Sequence, residues 1–546
     1  MSPRVQLEGS QPHWPYFLVA AGTALFTYLH VFRFPFVPIW HMGDESSYLD
    51  HADRMLHGQI LYKDLFQFNF PGTEYLYYFI FRCCGLHLWA GHLAFLITVT
   101  AVNVLIFALA RVVLSGAAAI LPSIAFLGIC VRSNLDGTHH WYSNAFALLA
   151  VYLIARERTT RRIQLAGGLL GMATLFTSTR GIAIAVGLAL FLFWEFRDWR
   201  VAAKACTNLL VPFAATVGLA LAYLVRLAGS RVLFDSLVVF PLRYYPAGAA
   251  NSFSVYYDPL LVSGPFKLSL ILGIGQWFAT SGALPILLVV FAVMFVRSRA
   301  NALPTSVSNR TLVLYATVSL FALLAAIGAP SAPRLNCALA FAYILGAAML
   351  SKAGNQKLAA TFLAVLFVVC LAEMTAALVR PVYFVNGPRG RIAFFTADRR
   401  EYVDWFILNT HPGDLLFGDV DINFLLGLEN PAAIQWLERD AYTRPEQVSA
   451  LIHALELRNT RFVVYYESYG QGSEDNLQPI RDYLKLHYRV VEKRSDAPGL
   501  RTDPPACSDC PSILSRHNPD QKVACAINSS DIDSLTRHKN RGDRVI

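Results

Sequence analysis

Charge is scarce in this sequence. Only 15% of its 546 residues are Asp, Glu, Lys or Arg, while 55% are hydrophobic, a balance well away from that of soluble domains. That excludes an ordinary water-exposed protein: a chain this apolar crosses a bilayer repeatedly or aggregates. A Walker phosphate loop and a dinucleotide fingerprint are both missing, so nucleotide cradling has no motif to rest on. No convincing repeat with a period of roughly 20–50 residues is present. The first apolar run is followed by no small-residue cleavage site and reads as a retained span, not a signal peptide.

Cysteine is sparse and scattered, with nine in all. Cys83, Cys84, Cys130, Cys206, Cys337 and Cys370 lie in or beside apolar segments and read as small core residues. Cys507, Cys510 and Cys525 fall in a polar stretch near the carboxy terminus, where a disulfide is one reading. A zinc knuckle with His517 is the other, although the spacing after Cys510 matches no common four-ligand set.

What the chain does have is apolar runs of the length a bilayer needs, roughly 17–25 residues each. They cover 16–36, 89–110, 116–133, 142–155, 163–178, 181–196, 205–227, 277–296, 311–329, 335–350 and 357–379, about eleven spans. With the amino terminus cytoplasmic, the inner loops collect Arg111, Arg156, Arg158, Arg161, Arg162, Arg197, Arg200, Lys204, Arg297, Arg299, Arg310, Lys352 and Lys357. The short outer connections hold Arg132, Arg180 and Arg334. This bias fits the positive-inside rule and predicts an extracytoplasmic carboxy-terminal region. It also accounts for most of the net charge of +9, so no nucleic-acid partner is inferred.

Three regions follow. Residues 1–380 form a membrane body, with an outer loop over 40–88. Residues 381–494 have soluble composition and alternate helix-like runs (399–408, 445–457 with Thr443 as a cap, 480–486) with strand-like ones (414–418, 461–466), which predicts a small α/β domain. Residues 495–546 are polar and proline-bearing and read as poorly ordered.

The chemistry gathers in the outer loops. Gly43-Asp44-Glu45-Ser46-Ser47-Tyr48 opens a predicted helix whose apolar face is Tyr48, Leu49, Ala52, Met55 and Leu56. One reading of the acidic pair is a helix cap complementing the dipole; the other is a proton acceptor at the membrane surface. Further on come Gly58, Tyr62 and Asp64, then Pro71-Gly72 and Tyr75-Leu76. This ordered set over about 35 residues resembles the GT-C superfamily of polytopic glycosyltransferases. Its nearest likeness is to the bacterial branch related to protein mannosyltransferases and lipid A aminoarabinose transferases.

The resemblance implies a GT-C fold and a polyprenyl-phosphate-linked sugar as donor. The acceptor would be an envelope glycolipid, polysaccharide or protein, with the lipid bilayer as a partner and inversion at the anomeric carbon. It maps the general base onto Asp44. Glu45, about 100° away on a helix, would orient the base, cap the helix or hold the acceptor. A phosphate-linked sugar carries its own leaving group, so one carboxylate suffices, unlike the paired carboxyls of glycoside hydrolysis. Arg180 and Arg334 are candidates for the donor phosphate, with interfacial snorkelling as the rival reading. Tyr48, Tyr62, Asp64, Asp136, His139, His140 and Tyr142 are candidate substrate contacts. No cofactor is expected, and no metal is assigned, because adjacent histidines point apart on a helix. Two other classes stay open. A transporter or flippase would need charge at mid-bilayer, and Glu373 in the last span is the one exception to charges at the membrane edges. The second is a noncatalytic glycan-binding scaffold.

Overall fold

The computed structural model describes residues 13–41, 43–248, 251–257, 268–301, 307–438, 440–466, 476–493 and 511–516. The chain opens with α1 (Trp14–Val31) and a short hairpin, β1 (Phe32–Arg33) and β2 (Val37–Pro38). Next come α2 (Glu45–Leu56), α3 (Gly72–Cys84) and α4 (Leu88–Val113). Residues 116–131 are helical but irregular: a 3-10 turn, then α5 (Leu121–Ala125), then a π-helical turn over Phe126–Val131. The bundle continues through α6 (His139–Arg156), α7 (Thr160–Phe176), α8 (Ser178–Glu195) and α9 (Trp199–Ala228). Two short helices, α10 (Ser230–Phe234) and α11 (Phe240–Arg243), follow. The last helices of the bundle are α12 (Leu268–Trp277), α13 (Ala283–Asn301), α14 (Val307–Ala326), α15 (Ala332–Lys352) and α16 (Gln356–Val379).

Each of the eleven apolar runs lies mainly on helix, the first giving way at Phe32 to the β1–β2 hairpin. Seven helical runs among the described residues are long and apolar enough to cross a membrane by length and composition: α4, α8, α9, the run Gly273–Arg297 through α12 and α13, α14, α15 and α16. The other four runs are α1, α6, α7 and the segment 116–131. The body is a polytopic helical membrane protein. Its core is lined by Phe26, Phe95, Phe126, Trp141, Phe191, Tyr315 and Phe341. Gly167 on α7 shows why small residues recur there: a Cβ at that position would run into the Leu209 carbonyl of α9, so the two backbones approach closely.

After α16 the chain becomes a small α/β domain. A hairpin, β3 (Tyr383–Gly387) and β4 (Gly390–Phe394), leads into α17 (Ala397–Asn409), β5 (Leu416–Phe417), α18 (Val420–Leu426) and α19 (Pro445–Leu457). The remaining elements are β6 (Phe462–Tyr466), α20 (Gln478–His487), β7 (Tyr488–Lys493) and β8 (Pro511–Arg516). The sheet order is β5-β6-β8-β7, with β5 and β6 parallel and the other pairs antiparallel.

Two details differ from the sequence reading. Strand β8 lies beyond residue 494, in the stretch read as poorly ordered, and pairs on both sides with Ile513 opposite Val464 and Glu492. Its isolated hexapeptide carries only two large apolar residues, so the signal lies in its neighbours. The cap of α19 is Arg444, reinforced by Gln447, and not Thr443; the Thr443 hydroxyl instead accepts the Glu438 amide at 2.8 Å. The cysteines 507, 510 and 525, His517 and the rest of the terminal stretch lie outside the described residues.

The α/β domain docks on the end of the bundle that carries α2. The Trp40 amide donates to the Ala393 carbonyl at 2.8 Å, Arg389 pairs with Asp53 at 2.5 Å, and the Gln435 amide donates to Asp50 at 2.8 Å. One apolar cluster runs from Tyr48, Leu49, Tyr77 and Phe81 of the body to Phe394, Tyr402, Phe406 and Phe424 of the domain. That shared core fixes the space between them.

Candidate active site

That space holds a cavity of about 340 Å³, and α2 forms one wall. Asp44, Ser47, Tyr48 and His51 line it. The four residues are spaced three, four and seven apart, so they form one stripe on the helix. Facing them are Gln435, Trp436, Glu438 and Tyr442 from the domain. His139, His140, Tyr245, Asn251 and Arg334 close the side toward the bundle.

Asp44 occupies the cap position of α2, yet its side chain makes no capping hydrogen bond. Its side chain is exposed on the cavity, in the recess between the α/β domain and the bundle. Burial raises its pKa above the usual carboxylate value, and the positive charge of Arg334 offsets only part of that rise. The result is a carboxylate that holds a proton more readily than a surface aspartate, as a general base should.

Glu45 points the other way. It is buried, accepts the Tyr77 hydroxyl at 3.0 Å and lies 3.5 Å from His92 Nε2. Burial alone would raise its pKa, but His92, Tyr77 and the Gly137 amide overcome this and lower it. A Cβ at position 137 would collide with the Tyr77 hydroxyl and come 2.6 Å from Glu45 Oε1, so only glycine fits there. Tyr142 donates to the Tyr77 hydroxyl at 2.9 Å. Glu45, Tyr77, Tyr142, His92 and Gly137 therefore lock the start of α2 to α3, α4 and the 134–138 loop.

Asp136 lies beside both acids, and its carboxylate takes the Asp44 amide. Burial, then Asp44 and Glu45, push its pKa well above the usual range.

A second cavity, of about 460 Å³, shares Phe68, Asn69, His139, His140, Tyr245, Asn251 and Arg334 with the first. Beyond these its walls are mostly apolar, with Leu237, Val238, Pro241, Leu242, Ala322, Ala325 and Ala326, and the run Thr177, Ser178, Thr179 and Arg180 adds a polar strip. Arg180 is buried and donates to the His140 carbonyl at 2.9 Å, to the Ser143 hydroxyl and to the Arg334 carbonyl at 3.2 Å. Arg334 is half-buried and donates to the Tyr245 hydroxyl at 2.6 Å, Asn251 Oδ1 at 2.9 Å and the Ala329 carbonyl at 3.0 Å. All of these acceptors are neutral. Among the described residues neither arginine forms an ion pair with a carboxylate within 4.0 Å. Two guanidinium groups thus meet at the junction of a polar and an apolar chamber without a carboxylate in direct contact, Asp44 standing farther off across the same cavity, an arrangement that favours an anionic ligand.

The remaining sequence candidates divide. Tyr48, His139 and His140 face the cavity. The two histidine rings lie 3.9 Å apart instead of diverging, because they begin the first turn of α6 and His139 Nδ1 is held by Thr177 Oγ1 at 2.9 Å. Tyr62 and Asp64 are not among the lining residues. The Tyr62 hydroxyl donates to the Asn69 carbonyl at 2.5 Å, and Asp64 accepts the Ile60 amide at 2.8 Å, so both shape the 58–69 turn. Tyr142 sits behind Glu45. Glu373 is paired with Arg132 at 2.7 Å, so it is not an isolated charge.

Sequence reasoning missed Ser47 and His51, whose spacing from Asp44 gave the stripe away. It also missed Asn251, Gln435 and Tyr442, which no local pattern marks.

No protein-family model matches the sequence, and no curated protein matches it. Solved structures do. The chain is similar to ArnT from Cupriavidus metallidurans, in a crystal structure bound to undecaprenyl phosphate: 12% identity, TM-score 0.58, covering 92% of this chain and 98% of that one. A lesser likeness is to the oligosaccharyltransferase of Archaeoglobus fulgidus in its apo form, at 13% identity and TM-score 0.48, covering 84% of this chain and 70% of that one. At such identities the likeness is one of fold, and the chain has the GT-C fold.

Proposed function

We propose that this protein is an integral membrane glycosyltransferase that moves a sugar from a polyprenyl-phosphate donor to an acceptor hydroxyl on the extracytoplasmic face. The observation that carries the reading is the junction itself: the open Asp44 carboxylate shares a cavity with Arg334, Arg180 holds the Arg334 backbone, and there an apolar chamber meets a polar one.

In this reading the lipid chain lies along Leu237, Val238, Leu242 and the small residues of α14. Its phosphate rests against Arg334, with Arg180 holding the Arg334 backbone and His140 in place, and the sugar projects into the polar chamber. Asp44 takes the proton of the acceptor hydroxyl as that oxygen attacks the anomeric carbon. The bond from that carbon to the phosphate oxygen breaks with its electron pair, and polyprenyl phosphate departs without needing an acid. Attack opposite the departing phosphate inverts the centre. Positioned bases of this kind contribute about 10²–10⁴-fold. The likeness in fold to ArnT, solved with undecaprenyl phosphate, supports the choice of donor class.

The test is to incubate the purified protein with a panel of radiolabelled polyprenyl-phosphate sugars and envelope fractions. The reading expects label to move from at least one donor into an acceptor. Absence of transfer from every donor, with the protein folded and inserted, would contradict it.

A further inference from the structure

The polar chamber has a closed end that the reaction above does not use. His51 lies two turns along α2 from Asp44, about 10 Å by helical rise. It lines the cavity and is only 2% exposed, and neither ring nitrogen has a hydrogen-bond partner among the described residues. Glu74 of α3 stands behind it, 3.9 Å from Nδ1. Glu74 is fully buried, and one of its oxygens, Oε2, is unpartnered. Its other oxygen is held by the Gln67 amide, whose carbonyl in turn accepts the amides of Phe68 and Asn69 at 2.8 and 3.0 Å. Gln67 thus fixes Glu74, and Glu74 faces the imidazole.

A buried imidazole with both nitrogens idle is costly to leave that way, and it borders open space. From the exposed Asp44 to the buried His51 the wall passes from accessible to enclosed. An enclosed polar end suits a small polyhydroxy group carried on the donor and not a bulky acceptor.

We propose that His51 is a specificity-determining contact for the donor sugar. It would hydrogen-bond hydroxyls on the side of the ring away from the anomeric carbon, with Glu74 as the positioning residue that orients its ring. This deepens the glycosyltransferase reading and rests on it.

The experiment compares wild type and His51→Ala in lipid nanodiscs. Each is titrated with bare undecaprenyl phosphate and with undecaprenyl phosphate linked to mannose, galactose or arabinose. Wild type is expected to bind at least one glycosylated lipid more tightly than the bare one. His51→Ala should remove about tenfold of that preference, the worth of one or two buried hydrogen bonds, and leave affinity for bare undecaprenyl phosphate within about twofold. Glu74→Gln should lose less than Glu74→Ala, since it keeps its link to Gln67. If His51→Ala does not fold, His51→Gln takes its place, with a smaller loss expected. An unchanged headgroup preference in the His51 variants overturns the inference, as does a wild type that prefers no headgroup. Failure of the transferase reading is a separate result, a wild type that binds no polyprenyl phosphate at all, and it removes the inference as well.

Discussion

Replacing Glu45 with Gln separates the two carboxylates that the sequence sets side by side. The structure gives them different surroundings: Asp44 opens on the cavity, whereas Glu45 is enclosed by Tyr77, His92 and Gly137. Gln keeps the shape and a carbonyl oxygen but removes the charge. A hydrogen bond to a buried charged group contributes about 1.5–3 kcal/mol, and Gln retains part of it, so a loss of about 2 kcal/mol is expected. Because this network anchors the turn that carries Asp44, a shift on the order of 1 Å there lowers kcat by up to about 10²-fold.

The pH dependence has a definite sign. Glu45 has a lowered folded pKa, so its stabilisation is fully present above the ordinary carboxyl value and is lost as pH falls through the lowered one. Glu45→Gln should flatten that acid loss. The assay is kcat, KM and Tm for wild type and variant with the same donor. A variant as inactive as Asp44→Asn but with unchanged Tm would refute the reasoning, because Glu45 would then belong to the chemistry and not to its scaffold.

Other outcomes follow from the same geometry. Arg334→Gln should raise the KM for donor about tenfold or more, since its charge serves a ligand, and lower Tm, since it removes bonds to Tyr245, Asn251 and the Ala329 carbonyl. Arg180→Gln should raise KM and also lower Tm, because it removes bonds to His140, Ser143 and the Arg334 backbone. Gly137→Ala forces apart Tyr77 and Glu45 and should cost about 1–3 kcal/mol, read as a lower Tm together with a lower kcat. The raised pKa of Asp44 places the acid limb of the rate profile above the ordinary carboxylate range, with activity falling as pH drops through it. The same shift means that the native state holds this proton more tightly than the unfolded chain does. Stability is therefore lost as pH rises from the ordinary carboxyl value through the raised one, and Asp44→Asn should be at least as stable as wild type at neutral pH.

The bundle was legible because a bilayer demands long apolar runs, and every such run lies mainly on helix. The helix that begins beside Asp44 was legible through local spacing, with Tyr48, Leu49, Ala52, Met55 and Leu56 at helical intervals. The division of labour between Asp44 and Glu45 was not, because it depends on Tyr77, His92 and Gly137, which lie 32, 47 and 92 residues beyond Glu45. Strand β8 escaped because its pairing partners, and not its own six residues, make it a strand. Tyr62 and Asp64 look like contacts in a linear pattern, yet the turn they stabilise takes up their polar groups. His51 was readable in principle, two turns from Asp44. It was passed over because the apolar stripe of the same helix, which packs against the body, gave the stronger signal.

The most direct measurement is transfer of radiolabelled sugar from its polyprenyl-phosphate donor by wild type and by Asp44→Asn, both confirmed as folded and inserted. The account predicts that Asp44→Asn still binds undecaprenyl phosphate but transfers at a rate lower by about 10²–10⁴-fold. Transfer by Asp44→Asn at the wild-type rate would contradict it.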